Sequence, residues 1–273
     1  ATTTTNATGG RGGSITYSIT FGTGSAVVNA ATGYLTAVSV GTVTLTATSA
    51  GDTNYNAATT SQLITIGKTT PVLTIISANV LNVDGTLATA LTTTATFGRG
   101  GPIVYAIVAG SGSATVDPNT GVVRGVNAGT ITLTATSAGD TDYVSVTTTQ
   151  LITINPTTPI LIVTSSNTLV VDQAIMATIT TTASHDIGVL SYSIQNDTGS
   201  AFIDSGTGLI TAFSAGTIIL TISSAGNNDY NPTSVDQLIT IGQATPVLTI
   251  TSANTMSVDD TITASVNTTA TFG

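Results

Sequence analysis

The sequence predicts an all-β chain of tandem sandwich repeats. Three observations carry that expectation: a β-branched composition, apolar alternation of period two, and self-similarity at a step of about 88 residues.

Of the 273 residues 62 are threonine, and charged residues make up only 6 % beside an ordinary 41 % of hydrophobic ones. The polar half is therefore neutral. With Ser, Val and Ile it forms a palette that suits pleated, half-buried strands better than helices. Thirteen carboxylates against four cations leave a net charge of -9, which repels nucleic acid and anionic membrane surfaces, so neither is expected as a partner. The absence of cysteine removes disulfides, thiolate metal sites and cysteine nucleophiles together. It fits either a reducing compartment or an exported protein built without bridges. Scarce charge and a Thr/Ser/Asn surface favour export to the cell surface. No apolar run of about 18 residues exists to span a bilayer, and residues 1–20 lack a basic start followed by an apolar stretch. Membrane insertion is not expected in this segment, and any export signal or anchor is expected outside it.

The repeat is read from three tyrosine segments, Thr16-Tyr17-Ser18-Ile19, Val104-Tyr105-Ala106-Ile107 and Ser191-Tyr192-Ser193-Ile194. Gln62-Leu63-Ile64-Thr65-Ile66 returns at 150–154 and 237–241, and Pro71, Pro159 and Pro246 each open the segment that follows. Four units result: 1–67, lacking its first strand; 68–156 and 157–243, both complete; and 244–273, the first two strands of a further unit.

Within a unit, Thr130 to Thr136 alternates strictly, which puts Ile131, Leu133 and Ala135 on one face and threonines on the other. The same reading of the second unit predicts strands near Val72–Ile76, Leu87–Thr96, Ile103–Val108, Ala114–Val116, Val122–Val126, Thr130–Ser137 and Gln150–Ile154. Short strands in this number and spacing describe an Ig-like β-sandwich. Asp117-Pro118-Asn119-Thr120-Gly121 and Asp204-Ser205-Gly206-Thr207-Gly208 supply the turns, because Pro presets φ and Gly adopts positive φ. A unit of this size buries about 60 % of its unfolded surface, enough to fold without a metal or disulfide. The links Gly67-Lys68-Thr69-Thr70 and Asn155-Pro156-Thr157-Thr158 are short and followed by Pro, so a semi-rigid, elongated string is expected.

Gly112 to Val123 (Gly-Ser-Ala-Thr-Val-Asp-Pro-Asn-Thr-Gly-Val-Val), followed by Ala128 to Thr136 (Ala-Gly-Thr-Ile-Thr-Leu-Thr-Ala-Thr), resembles the bacterial Ig-like repeats of large surface proteins, as does Ala50-Gly51-Asp52-Thr53-Asn54-Tyr55. The resemblance covers every unit. It implies an exported stalk, adhesin or envelope module and brings no catalytic residues.

The unit phase cuts through a sandwich at each terminus. Gly10-Arg11-Gly12-Gly13 aligns with Gly98-Arg99-Gly100-Gly101, and Phe272-Gly273 aligns with Phe97-Gly98. Two readings follow: a window of a longer continuous array, or a subunit whose C-terminal strands complete the next copy, head to tail. Residues 1–10 and 264–273 share a phase, which favours the window.

Candidate chemistry is sparse. The one histidine, His185, is expected to be an exposed loop residue, so no catalytic residue is assigned. Carboxylates recur at Asp84, Asp172 and Asp259, and at Asp52, Asp140, Asp142 and Asp229. Calcium is their functional reading. A Ca²⁺ site needs about six to eight oxygens, however, and no loop supplies more than two carboxylates, so Asx turns are preferred and no cofactor is expected. Tyr55, Tyr143 and Tyr230 follow those loops and are expected to pack at the sandwich end or on the neighbouring unit with the hydroxyl bonded. Lys68 is replaced in phase by Pro156 and Gln243, which argues against a lysine isopeptide bond. Outward threonines could bind ice or carry sugars, but they are read as plain solvated strand faces. Asn6, Asn196 and Asn267 match the N-glycosylation acceptor weakly, because threonine is so common. The function expected is structural, with an adhesin spacer that presents a separate binding domain as the alternative.

Overall fold

A computed structural model describes residues 12–95 and 100–269, and among them every regular element is a strand. The first repeat holds β1 (Ile15–Phe21), β2 (Ser25–Val28), β3 (Leu35–Ser39), β4 (Gly41–Ser49) and β5 (Ala58–Ile66). The second holds β6 (Leu73–Ile75), β7 (Val80–Asn82), β8 (Thr86–Ala88), β9 (Leu91–Thr93), β10 (Ile103–Ala109), β11 (Ser113–Val116), β12 (Val122–Asn127), β13 (Gly129–Ser137) and β14 (Val146–Asn155). The third holds β15 (Leu161–Val163), β16 (Thr168–Val170), β17 (Ala174–Met176), β18 (Ile179–Thr181), β19 (Leu190–Asn196), β20 (Ser200–Ile203), β21 (Leu209–Ser214), β22 (Gly216–Ser224) and β23 (Thr233–Gly242). The start of a fourth holds β24 (Leu248–Ile250) and β25 (Val266–Thr268). The described residues form two compact units, one within 1–80, 86–124 and 130–153, the other within 81–85, 125–129 and 154–273.

In the second unit the third repeat is an Ig-like sandwich. A four-stranded sheet in the order β16-β23-β22-β19 is antiparallel except at its edge, where β16 joins β23 in parallel with Leu169 opposite Ile241. The second sheet runs β17-β21-β20, and β15 pairs separately with β18. Alternation decides what is buried: Ile218, Leu220 and Ile222 of β22 are fully buried, and so are Ile239 of β23 and Ile210 of β21. Ten buried residues from both sheets form one apolar cluster, the layer two facing sheets need to exclude water from their inner faces.

The first unit shows the same plan in β1-β4-β5 and β2-β3. The second repeat arranges its strands as β10-β13-β14-β7 and β11-β12-β8. Ile131, Leu133 and Ala135 of β13 are fully buried, as the alternation predicts. On the outer face threonines pair across strands, Thr136 with Thr147 at 3.0 Å and Thr46 with Ser61 at 2.9 Å, each such pair being worth a few tenths of a kcal/mol, up to about 1.

The turn chemistry recurs in register. Asp117 Oδ1 accepts the N–H groups of Asn119 and Thr120 at 2.9 and 3.0 Å, and Asp204 does the same for Gly206 and Thr207. These bonds hold both carboxyls below the ordinary range. In the first repeat Asn29 plays this part toward Ala31 and Thr32. Each turn ends on a glycine at positive φ, Gly33, Gly121 or Gly208, lying against the ring of Tyr17, Tyr105 or Tyr192. A Cβ on Gly121 would stand 2.8 Å from Tyr105 Cζ, which accounts for both the glycine and the recurring tyrosine.

Two expectations are corrected. The strand expected over Leu87–Thr96 is two strands in different sheets: β8 pairs with β12, and β9 pairs with β6. The short strand β7 was not expected at all. The phase markers at 10–11 and 98–99, Phe97, Phe272, Gly273 and the acceptor site at Asn6 lie outside the described residues.

Candidate functional site

The chemistry of this chain gathers where one repeat follows another, and each compact unit contains one such junction. In the first unit Asp140 opens the loop after β13. Its Oδ1 accepts the N–H groups of Asp142 and Tyr143 at 2.8 Å each, and its Oδ2 accepts Gly100 N–H at 2.7 Å. This Asx turn aims Asp142 outward. Asp142 Oδ1 accepts the N–H of Val40 at 2.7 Å, a bond spanning 102 residues to the β3–β4 turn of the preceding repeat. Thr69 of the link pairs with the same loop, donating to Asp142 O at 3.2 Å and accepting from Val144 N–H at 3.0 Å. Lys68 Nζ donates to Asp140 O at 2.6 Å.

In the second unit the arrangement returns with more partners. Asn227 takes the part of Asp140, its Oδ1 accepting from Asp229 N–H and Tyr230 N–H at 2.8 and 3.0 Å. Asp229 Oδ1 accepts Ala128 N–H at 2.6 Å across 101 residues, and its Oδ2 accepts the Asn127 side-chain amide at 2.9 Å. Thr157 bridges to Tyr230 as Thr69 does to Tyr143.

Tyr230 is fully buried. Its hydroxyl donates to Asp84 Oδ2 at 2.6 Å and accepts Ser184 N–H at 3.1 Å. His185 is tied in at both ring nitrogens: Nδ1 lies 3.2 Å from the Tyr230 hydroxyl and Nε2 lies 3.3 Å from Asp229 Oδ2. His185 is thus a half-buried member of the junction, which corrects the expectation of a plain exposed loop residue. Asp84 is held at φ 63°, a left-handed conformation that Asp172 and Asp259 repeat at 70° and 69°. Short polar side chains tolerate that region better than bulky ones.

Electrostatics follows from these bonds. Burial pushes the Asp229 carboxyl up, but donors from Asn127, Ala128 and His185 outweigh it and leave it below the ordinary range. At Asp84 burial is likewise outweighed, by Ser184 and the Tyr230 hydroxyl. Burial, reinforced by the Asp84 carboxylate, raises the Tyr230 hydroxyl above its ordinary value. Each of these carboxylates spends oxygens on N–H and O–H donors, and among the described residues no group of three or more His, Cys, Asp or Glu is placed to hold a metal ion.

A cavity of about 320 Å³ beside Tyr230 is lined by Asp84, Thr157, Pro159 and Thr182. Its counterpart one repeat on, about 500 Å³, is lined by Asp172, Ala244, Pro246 and Thr269, and no tyrosine lines it.

The remaining candidates separate. Asp52 makes an Asx turn with Asn54 and Tyr55, and Tyr55 stays 42 % exposed. Asn196 Oδ1 accepts Ala201 N–H at 3.1 Å, and Asn267 lies in β25. The sequence had no means of showing the donors Val40 and Ala128, because a backbone N–H carries no residue signature.

No protein-family model and no curated protein matches the chain. Among solved structures it is similar to human CDH23 EC21-23 (16 % identity, 82 % of this chain, 88 % of that one, TM-score 0.30). It is also similar to domains D1–D4 of the ICAM-5 ectodomain (12 %, 85 % and 69 %, 0.30) and to domains 4–9 of the surface layer protein SbsC (18 %, 89 % and 42 %, 0.25). At such scores nothing of those proteins' functions transfers to this chain.

Proposed function

We propose that the chain is a non-enzymatic structural segment of a cell-surface stalk, sheath or filament, built of tandem Ig-like repeats of the bacterial surface-protein kind. The observation that carries this reading is the same carboxylate bond at both junctions, Asp142 to Val40 N–H and Asp229 to Ala128 N–H. A charge-assisted bond to a backbone donor, placed beside a short Pro-bearing link, restrains each repeat against the next. The same residues supply no catalytic logic: the carboxylates accept from the fold's own donors, and both nitrogens of His185 face groups within the junction.

Single-molecule stretching of the full chain tests the reading. Successive unfolding events with length gains of roughly 300 Å per repeat are expected, from about 3.4 Å per extended residue. The Asp142→Ala and Asp229→Ala variants are expected to yield at lower force. A featureless extension without discrete events sinks the structural reading. Failure of an antibody to label intact producing cells removes the surface location.

A further inference from the structure

Two turns of the second repeat belong structurally to the third. Leu81–Gly85, which leads from β7 into β8, and Gly125–Gly129, where β12 passes into β13, lie in one compact unit with residues 154–273, whereas 86–124 and 130–153 of the same repeat lie in the other. The turns are bonded to each other and to the end of β14. Asp84 N–H donates to Gly125 O and Gly125 N–H to Gly85 O, at 3.1 Å each, and Val83 N–H donates to Asn155 O at 2.9 Å. Val83 and Ile154 are each 2 % exposed. The backbone passes so close here that a Cβ on Gly125 would stand 2.6 Å from Asn82 O and 3.2 Å from Ile154 Cγ2, a close approach that requires glycine.

Two adjacent residues of the third repeat hold one turn each. The Tyr230 hydroxyl donates to Asp84 Oδ2 at 2.6 Å, and Ser184 N–H adds a bond to the same oxygen at 3.3 Å. Asp229 takes Ala128 N–H at 2.6 Å and the Asn127 amide at 2.9 Å. The loop that carries both residues is itself fixed: Asn227 Oδ1 accepts their N–H groups, Thr157 N–H donates to Asp229 O at 3.1 Å, and Thr157 O accepts Asn231 N–H at 2.9 Å. That loop joins β22 to β23, whose inner faces build the core of the third repeat. The strands β10 and β13 need nothing from it. They pair from Ile103 opposite Ser137 to Ala109 opposite Ile131, over the fully buried Ile131, Leu133 and Ala135.

We infer that the third repeat keeps these turns folded: when it unfolds, 81–85 and 125–129 open with it, while β10 and β13 of the second repeat stay paired. The cooperative unit is thereby offset from the sequence repeat. In a tandem array each repeat has its own stability plus a term for the interface it shares with its neighbour. Here the interface term is spent on particular backbone segments, because the bonds that satisfy Ala128 N–H and the Asp84 carboxylate come from residues 229 and 230. Unfolding of the third repeat removes those bonds and exposes Tyr230, which is fully buried only in the folded junction. The inference stands on the fold alone and holds whether or not the chain serves as a surface stalk.

Native-state hydrogen exchange of the full chain, read amide by amide, tests this. Leu220→Ala strikes the core of the third repeat, where Leu220 is fully buried. The amides of β22 are then expected to exchange faster by a factor of about 30 or more, the scale of a buried leucine truncation. The amides of Val83, Asp84 and Gly125 are expected to accelerate by the same factor, and those of residues 131–135 in β13 to keep their parent rates. Ile239→Val, a milder change in the same core, is expected to give the same pattern at about twofold to tenfold, and it serves if Leu220→Ala does not fold. Unchanged rates at Val83, Asp84 and Gly125 beside faster β22 amides would show that the turns hold without the third repeat. Equal acceleration in β13 would show a single unit spanning both repeats. Either result overturns the inference, and neither bears on the surface reading, which the stretching and labelling experiments judge.

Discussion

Single residues decide more here than their chemistry announces. Asp229 is one carboxylate among thirteen acidic residues, yet its two oxygens serve a backbone N–H 101 residues away and the Asn127 amide. Removing it strands Ala128 N–H in a half-buried turn. Asp229→Ala is therefore expected to cost about 1–3 kcal/mol, the range for a buried donor left without an acceptor, read as a lower denaturant midpoint. An unchanged midpoint would show that the bond is not made in solution. Gly121 is a second such residue, since its φ of 71° suits glycine and a Cβ there would meet the Tyr105 ring at 2.8 Å. Gly121→Ala adds a left-handed cost of about 1–2 kcal/mol to the clash with the ring, so a fall in thermal midpoint is expected. Asp117→Ala, which removes only the Asx bonds of the same turn, should cost less. The reverse order would mean that the turn, not the ring contact, holds this corner.

At the scale of strands, stability is concentrated in the central strand of each four-stranded sheet. Leu220 of β22 is fully buried between Ile218 and Ile222, with strands on both sides. Leu220→Ala is expected to cost about 2–5 kcal/mol through lost burial and the cavity left behind, whereas Leu238→Ala, 58 % exposed on β23, should stay within about 1 kcal/mol. Equal losses in urea unfolding would contradict the assignment of faces. These long strands were legible in sequence because five or more alternating residues define a face, and Thr130–Ser137 was read almost as it stands at Gly129–Ser137. The first sheet edge was not legible. β7 is three residues long and offers only Leu81 to the core before Val83, too little for a period to show. The expected strand over 87–96 split because the alternation of Leu87 and Leu91 runs unbroken through the crossing between sheets. At the junctions, the recurrence of the aspartates and tyrosines was readable, and so was the packing of Tyr230 with its hydroxyl bonded, whereas Tyr55, 42 % exposed, departs from that expectation. The role of His185 was not, since it depends on Tyr230 and Asp229 being brought to it from 45 and 44 residues away.

For the molecule as a whole, the shifted groups set a window of pH in which the fold is most stable. The carboxyls of Asp52, Asp84, Asp117, Asp204 and Asp229 all lie below their ordinary value in the folded chain. A depressed carboxyl contributes stability that is present above its unfolded value of about 3.9 and is lost as pH falls through the folded one. Tyr230 works in the opposite direction. Its hydroxyl is raised by burial and by Asp84, so its contribution is present below the unfolded value of about 10 and is lost as pH rises through the folded one. Stability is thus expected to be flat from about pH 5 to about pH 9 and to fall on either side, the acid arm being steeper because five groups share it. Urea midpoints across pH test this, and two variants assign the arms. Asp84→Asn with Asp229→Asn should flatten the acid arm while lowering the plateau. Tyr230→Phe keeps the ring in its buried place, gives up the bond to Asp84 and should remove much of the alkaline fall. If the alkaline arm of Tyr230→Phe matches that of the parent chain, the junction between the second and third repeats is not where the alkaline form is resisted.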